Sequence, residues 1–99
     1  MLNISKQTEG DRLCVFLTGR LDTITSPELE ETLNSAIEGV SELVLGLEEL
    51  DYISSAGLRV LLSAQRKMNK QGTLKVMHVN ETVQEIFDVT GFTDILSIE

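Results

Sequence analysis

Tryptophan is absent, and the aromatic residues amount to three phenylalanines and one tyrosine. A core must therefore be built from Leu, Ile and Val. There is one cysteine, Cys14, so no intrachain disulfide can form and no CxxC metal or redox motif exists. That usage suits a reducing compartment. No apolar run approaches the ~20 residues a membrane-spanning helix needs. The opening Met1-Leu2-Asn3-Ile4-Ser5-Lys6 has no charged start followed by an apolar stretch, so no signal peptide is expected. Basic residues are also scarce: 8 Lys and Arg stand against 16 Asp and Glu, for a net charge of −8. Nucleic acid and anionic membrane both need a positive footprint, so neither is an expected partner. The acid excess also serves solubility alone. What is present fits a soluble, cytoplasmic chain. The 99 residues, 41% of them apolar, make one domain over residues 1–99. A chain of this length buries roughly 65% of its unfolded surface, enough for a core without staples.

Along the chain, Leu2 to Gln7 is a first strand with weak alternation, and Glu9-Gly10-Asp11 is a turn. Arg12 to Thr18 is denser, apolar at every position from Leu13 to Leu17, which predicts a strand covered on both faces with Cys14 as a small core residue. Gly19 to Thr25 reads as a loop. Ser26 is placed to cap a helix with Pro27 at its first position and Glu28, Glu30 and Glu31 in its first turns. Leu29, Leu33, Ala36, Ile37 and Val40 form that helix's buried stripe, and Gly39 marks its end. Glu42 to Leu47 is a short buried strand, and Glu48 to Tyr52 a loop. Leu58, Leu61, Leu62, Gln65 and Met68 then recur at helical spacing, with Arg66, Lys67, Lys70 and Gly72 closing the helix. Thr73 to Val79 is a strand with Leu74, Val76 and His78 on one face and Met77 and Val79 on the other. Asn80 caps a third helix carrying Val83, Ile86, Phe87 and Thr90, with Gly91 past its end. Phe92 to Ile98 is a tail able to form a short strand. Strand–helix–strand repeats imply parallel neighbours, and the opening pair an antiparallel hairpin. The fold class is α/β, with a mixed, mostly parallel sheet of about four to five strands and about three to four helices.

Little here supports catalysis. His78 is the only histidine, and nothing nearby completes a constellation around it. Ser54-Ser55-Ala56-Gly57 lacks the leading glycine of a nucleophile elbow. No phosphate-cradling loop, dinucleotide fingerprint or zinc-protease motif occurs. Glu48, Glu49 and Asp51 are three carboxylates on one segment, better explained as solvated than as a metal site. A small hydrolase using Ser55 as nucleophile would need a base within hydrogen-bond reach, and His78 belongs to another strand. The expectation is no enzyme, no metal and no cofactor.

The informative segment is Leu47 to Leu62, LEELDYISSAGLRVLL. A strand ends, the chain turns, and two serines sit where a helix begins. One serine suffices as a cap. A hydroxyl at a helix start is also well placed to carry phosphate, because unpaired N–H groups and the positive end of the dipole lie there. Phosphate adds a charge of about −1.5 to −2.

Asp51 to Leu62 resembles the signature of the STAS domain, and more specifically that of bacterial anti-sigma factor antagonists. Phe16-Leu17-Thr18-Gly19-Arg20-Leu21-Asp22 resembles the family's strand and G-x-L/I-D turn. Leu43 to Leu50 resembles its central strand, and VQEIFDVTGF, Val83 to Phe92, its last helix. The resemblance covers nearly the whole chain. It implies that the phosphorylated serine is the one two positions before the Gly-Leu pair, Ser55, with Ser54 as a second candidate or the cap. Many relatives have aspartate before that serine and a hydroxyl residue after it, where this chain has Ser54 and Ala56. It further implies a partner-binding surface of Asp22, Thr23, Ser54, Ser55, Ala56, Gly57, Leu58 and Arg59, with the Gly19–Thr25 loop as part of the contact. Asp22 also reads as a simple turn aspartate, and Arg59 as a solvated charge. The implied partners are an anti-sigma factor with serine kinase activity and a serine phosphatase, the ATP and magnesium being the kinase's; the chain itself is expected to be a monomer. Another partner-switching, signalling or transport assembly is the alternative output.

Overall fold

Apolar residues at alternate positions, Leu13, Val15 and Leu17, and again Leu21, give the strand Arg12–Leu21 one buried face of side chains. The computed structural model describes all 99 residues. Its elements are β1 (Leu2–Glu9), β2 (Arg12–Leu21), α1 (Ser26–Ala36), β3 (Glu42–Ile53), α2 (Ser55–Asn69), β4 (Thr73–Met77), α3 (Glu81–Thr90), a 3-10 turn (Phe92–Asp94) and β5 (Ser97–Ile98). The five strands lie in the order β1-β2-β3-β4-β5. β1 and β2 form an antiparallel hairpin around Gly10, and the remaining pairs are parallel. The expected mixed, mostly parallel α/β sheet is what forms.

One contiguous core joins β2, β3 and β4 to α1, α2 and α3, through residues such as Leu33, Leu45, Leu61, Val76 and Phe87. It lies on one face of the sheet. The expectation that β2 is covered on both faces is not met: Cys14 is half-buried and Phe16 is 41% exposed on the uncovered side. Phe16 instead lies flat across β3, where a Cβ on Gly46 would fall 2.6 Å from its ring.

The segment Glu48–Tyr52 is not a loop. β3 continues to Ile53, paired with a β2 that runs on to Leu21, and two register shifts (Phe16/Thr18 and Gly19/Arg20) interrupt the ladder. Such bulges re-aim side chains, so Leu50 and Ile53 are buried while Glu48, Glu49 and Asp51 remain exposed. Gly19 fits this passage because its φ is +105° and a Cβ there would collide with the Met1 carbonyl.

The helices depart from expectation in detail. α1 ends at Ala36, and Gly39 turns the chain afterwards with φ +79°. Ser26 does not cap it. Thr25 holds that position, but its side chain makes no capping bond to the helix, and the buried Ser26 hydroxyl donates to the Asp22 carbonyl. On α2 the buried stripe is Leu58, Val60, Leu61, Ala64 and Met68, while Leu62 and Gln65 are half-buried. β4 stops at Met77, and His78 is exposed in a left-handed conformation with φ +59°, off the face assigned to it. Asn80 caps α3 by accepting from the Val83 N–H (2.9 Å), and its amide donates to the Leu50 carbonyl (2.7 Å).

Candidate functional site

Where β3 ends, the Ser54 N–H donates to the Leu21 carbonyl (2.8 Å), fastening the start of α2 to the end of β2. Ser54 is extended, with φ −93° and ψ 175°, and its hydroxyl accepts from the Gly57 N–H at 3.3 Å. That is the geometry of an N-cap. The next helix position falls to Ser55, which is exposed, and no side chain hydrogen-bonds its hydroxyl. The two serines are thereby divided: Ser54 serves the helix, and Ser55 is left free. A hydrolase would need a base bonded to that hydroxyl, and His78 lies beyond the end of β4.

The helix start is pressed against the strand ends. A Cβ on Gly57 would meet Leu21 at 2.7 Å and Ile53 at 2.9 Å, so only glycine lets α2 approach this closely. Gly57 and Leu58 are buried and act on the surface by holding α2 in place. Ala56 is half-buried and Arg59 exposed.

Residues 22–25 form the adjoining turn. Asp22 Oδ1 accepts from the Ile24 and Thr25 N–H groups, both at 3.0 Å. The Asp22 N–H donates to Thr25 Oγ1 (2.9 Å), and that hydroxyl donates toward the Arg20 carbonyl (2.8 Å). The Thr25 N–H bond holds the Asp22 carboxyl below the usual carboxylate range. The Thr25 hydroxyl, the Ile24 N–H and the Arg20 guanidinium act in the same direction, against a burial effect. Asp22 is thus a carboxylate that shapes its own turn. Thr23 is exposed beside it, and Ile24 projects at the tip, 87% exposed.

Arg20 closes the other side. Its guanidinium lies 4.5 Å from the centre of the Tyr52 ring and 3.9 Å from Asp22 Oδ2. Between the N-terminal ends of α1 and α2 runs an open groove of about 190 Å³, with Thr23, Pro27, Glu30, Ala56 and Arg59 among its walls. Neither Arg20 nor Tyr52 was singled out for this surface, nor was Ile24, although Arg20 and Ile24 lie in the Gly19–Thr25 loop expected to form part of it. Arg20 and Tyr52 meet only through the shifted β2–β3 register, which local sequence does not reveal. Ile24 had a usable signal, an apolar residue in a polar turn.

A one-faced mixed sheet that presents a capped helix start and a preorganised turn at one corner is a surface-presenting α/β module. The chain belongs to the STAS domain family, whose sequence model matches residues 3–99. It is 34% identical over 94 residues to an anti-sigma-B factor antagonist of Bacillus subtilis, covering 94% of this chain and 85% of that one. It is 32% identical over 99 residues to the anti-sigma-B factor antagonist of Staphylococcus epidermidis, covering 98% and 92%. Solved structures share the fold. An anti-sigma factor antagonist from Mycobacterium paratuberculosis superposes with a TM-score of 0.89 at 19% identity, covering 99% of this chain and 85% of that one. The antagonist SpoIIAA in its unphosphorylated form gives 0.77 at 16% identity, covering 98% and 87%.

Proposed function

We propose that this chain is an anti-sigma factor antagonist that works by partner switching. The unphosphorylated protein binds an anti-sigma factor that is also a serine kinase, and a sigma factor is freed. The kinase moves the γ-phosphoryl group of its own ATP to Ser55 Oγ; the hydroxyl proton is lost and ADP departs. The phosphorylated chain then releases the kinase. A serine phosphatase hydrolyses the ester and restores the hydroxyl. The chain acts as a monomer in the cytoplasm, as ligand and substrate, without catalysis of its own.

The observation that carries this reading is the exposed, unbonded Ser55 hydroxyl beside a Ser54 already engaged as the cap. The relatives named anti-sigma factor antagonists support the pathway. A phosphate on Ser55 keeps the Ser54 cap and lies at the favourable end of the helix dipole. The fold therefore tolerates the modification, while the surface formed by Ser55, Ala56, Arg59, Asp22 and Thr23 gains negative charge. The test is to capture the partner from the native cell with the unphosphorylated protein, add magnesium and ATP, and map the product by mass spectrometry. Phosphate on Ser55, and none on Ser55→Ala, is the expected result. Phosphate on Ser54, or an equal rate with Ser55→Ala, contradicts it.

A further inference from the structure

Ser55 opens α2 and Arg59 follows one turn later, both exposed. Residues four apart on a helix are surface neighbours, with Cβ atoms roughly 5–6 Å apart. A guanidinium reaches that far and presents a planar fork of donors matched to phosphoryl oxygens. The two arginines near this corner differ in their commitments. Arg20 already lies over Tyr52 and beside Asp22. Arg59 takes part in no ion pair, although Glu30 of α1 lines the same groove.

We infer that Arg59 is the internal partner of a phosphate on Ser55: its guanidinium closes on the phosphoryl oxygens from one turn down α2. This rests on the reading of Ser55 as the phosphorylated residue and adds a second event to the switch. Phosphorylation brings negative charge to position 55 and at the same moment withdraws the free positive charge at position 59. A partner that meets the unphosphorylated face with acid opposite Arg59 loses that pair just as it confronts the new anion. Among the charged groups of the neighbouring elements, Glu30 on α1 lines the groove, and Arg20 near the end of β2 and Asp22 just past it stand at the adjoining turn. The two carboxylates disfavour the dianionic phosphate, and Arg20 is held by its own partners.

The experiment installs phosphoserine at position 55 through the genetic code and follows its phosphorus resonance with pH. Free phosphoserine loses its second proton near pH 6. The Arg59 guanidinium should lower that midpoint in the otherwise native chain by about 0.5 relative to Arg59→Gln, with Arg59→Lys between them. Arg20→Gln should titrate with the native chain. A reading without any substitution accompanies it: the Arg59 Nε–H resonance moves on phosphorylation and the Arg20 one does not. Coincident titration of native and Arg59→Gln chains, a shift with Arg20→Gln alone, or an unmoved Arg59 resonance overturns the inference. Because no kinase is used, the result is independent of which residue the kinase selects. Mapping of native phosphate to another residue would refute the switch at Ser55 and leave the Arg59 result standing.

Discussion

Ser54 and Asp22 direct their polar groups to their own backbone, and Ser55 does not. The adjacent serines made this division legible in the sequence, since one cap leaves one hydroxyl over. Ser26 was misjudged for a related reason. The acceptor for the N–H groups ahead of α1 comes from Asp22, whose turn leaves Ser26 buried. Asp22 supports a pH prediction. Its folded pKa lies below its unfolded value of about 3.9, so its contribution is present above that value. It is lost as the pH falls through the folded pKa. Asp22→Asn should therefore be less stable than the native chain in urea melts at neutral pH, and the gap should close in acid. A gap unchanged between pH 6 and pH 3 would show that the carboxylate does not hold the turn.

At the scale of elements, the helices were legible because each buries a stripe at helical spacing and two carry side-chain caps, Ser54 and Asn80. The strands were less so. Five successive apolar residues in β2 look the same whether one face or two are covered. The answer depends on all three helices packing to one side, which is a matter of topology. β3 beyond Leu47 was missed because the bulges break alternation and place acid on its exposed positions. Leu33 of α1, Leu45 of β3 and Leu61 of α2 are at most 2% exposed in the common core. Truncating any one to alanine should cost about 2–5 kcal/mol, measured by urea melts. Three variants all within about 0.5 kcal/mol of the parent, the range of surface changes, would contradict this packing.

On the scale of the whole molecule, the core and the Ser55 corner are separable. The core fills one face of the sheet, while that corner is built from strand ends, a turn and a helix start that the core supports from beneath. No helix is long and apolar enough to cross a membrane. The resemblance visible in Asp51 to Leu62 and Val83 to Phe92 agrees with the family match over residues 3–99. The central claim is that charge at Ser55 controls binding without disturbing the fold. A carboxylate at a helix start suits the dipole, so Ser55→Asp should keep its stability, whereas an unmatched charge in an interface can cost several kcal/mol. Titration calorimetry of the captured partner against native, Ser55→Ala and Ser55→Asp chains, with circular dichroism as the folding control, measures this directly. The account predicts native-like affinity for Ser55→Ala and at least about a tenfold loss, or 1.4 kcal/mol, for a fully folded Ser55→Asp; equal affinity of all three folded proteins would contradict it.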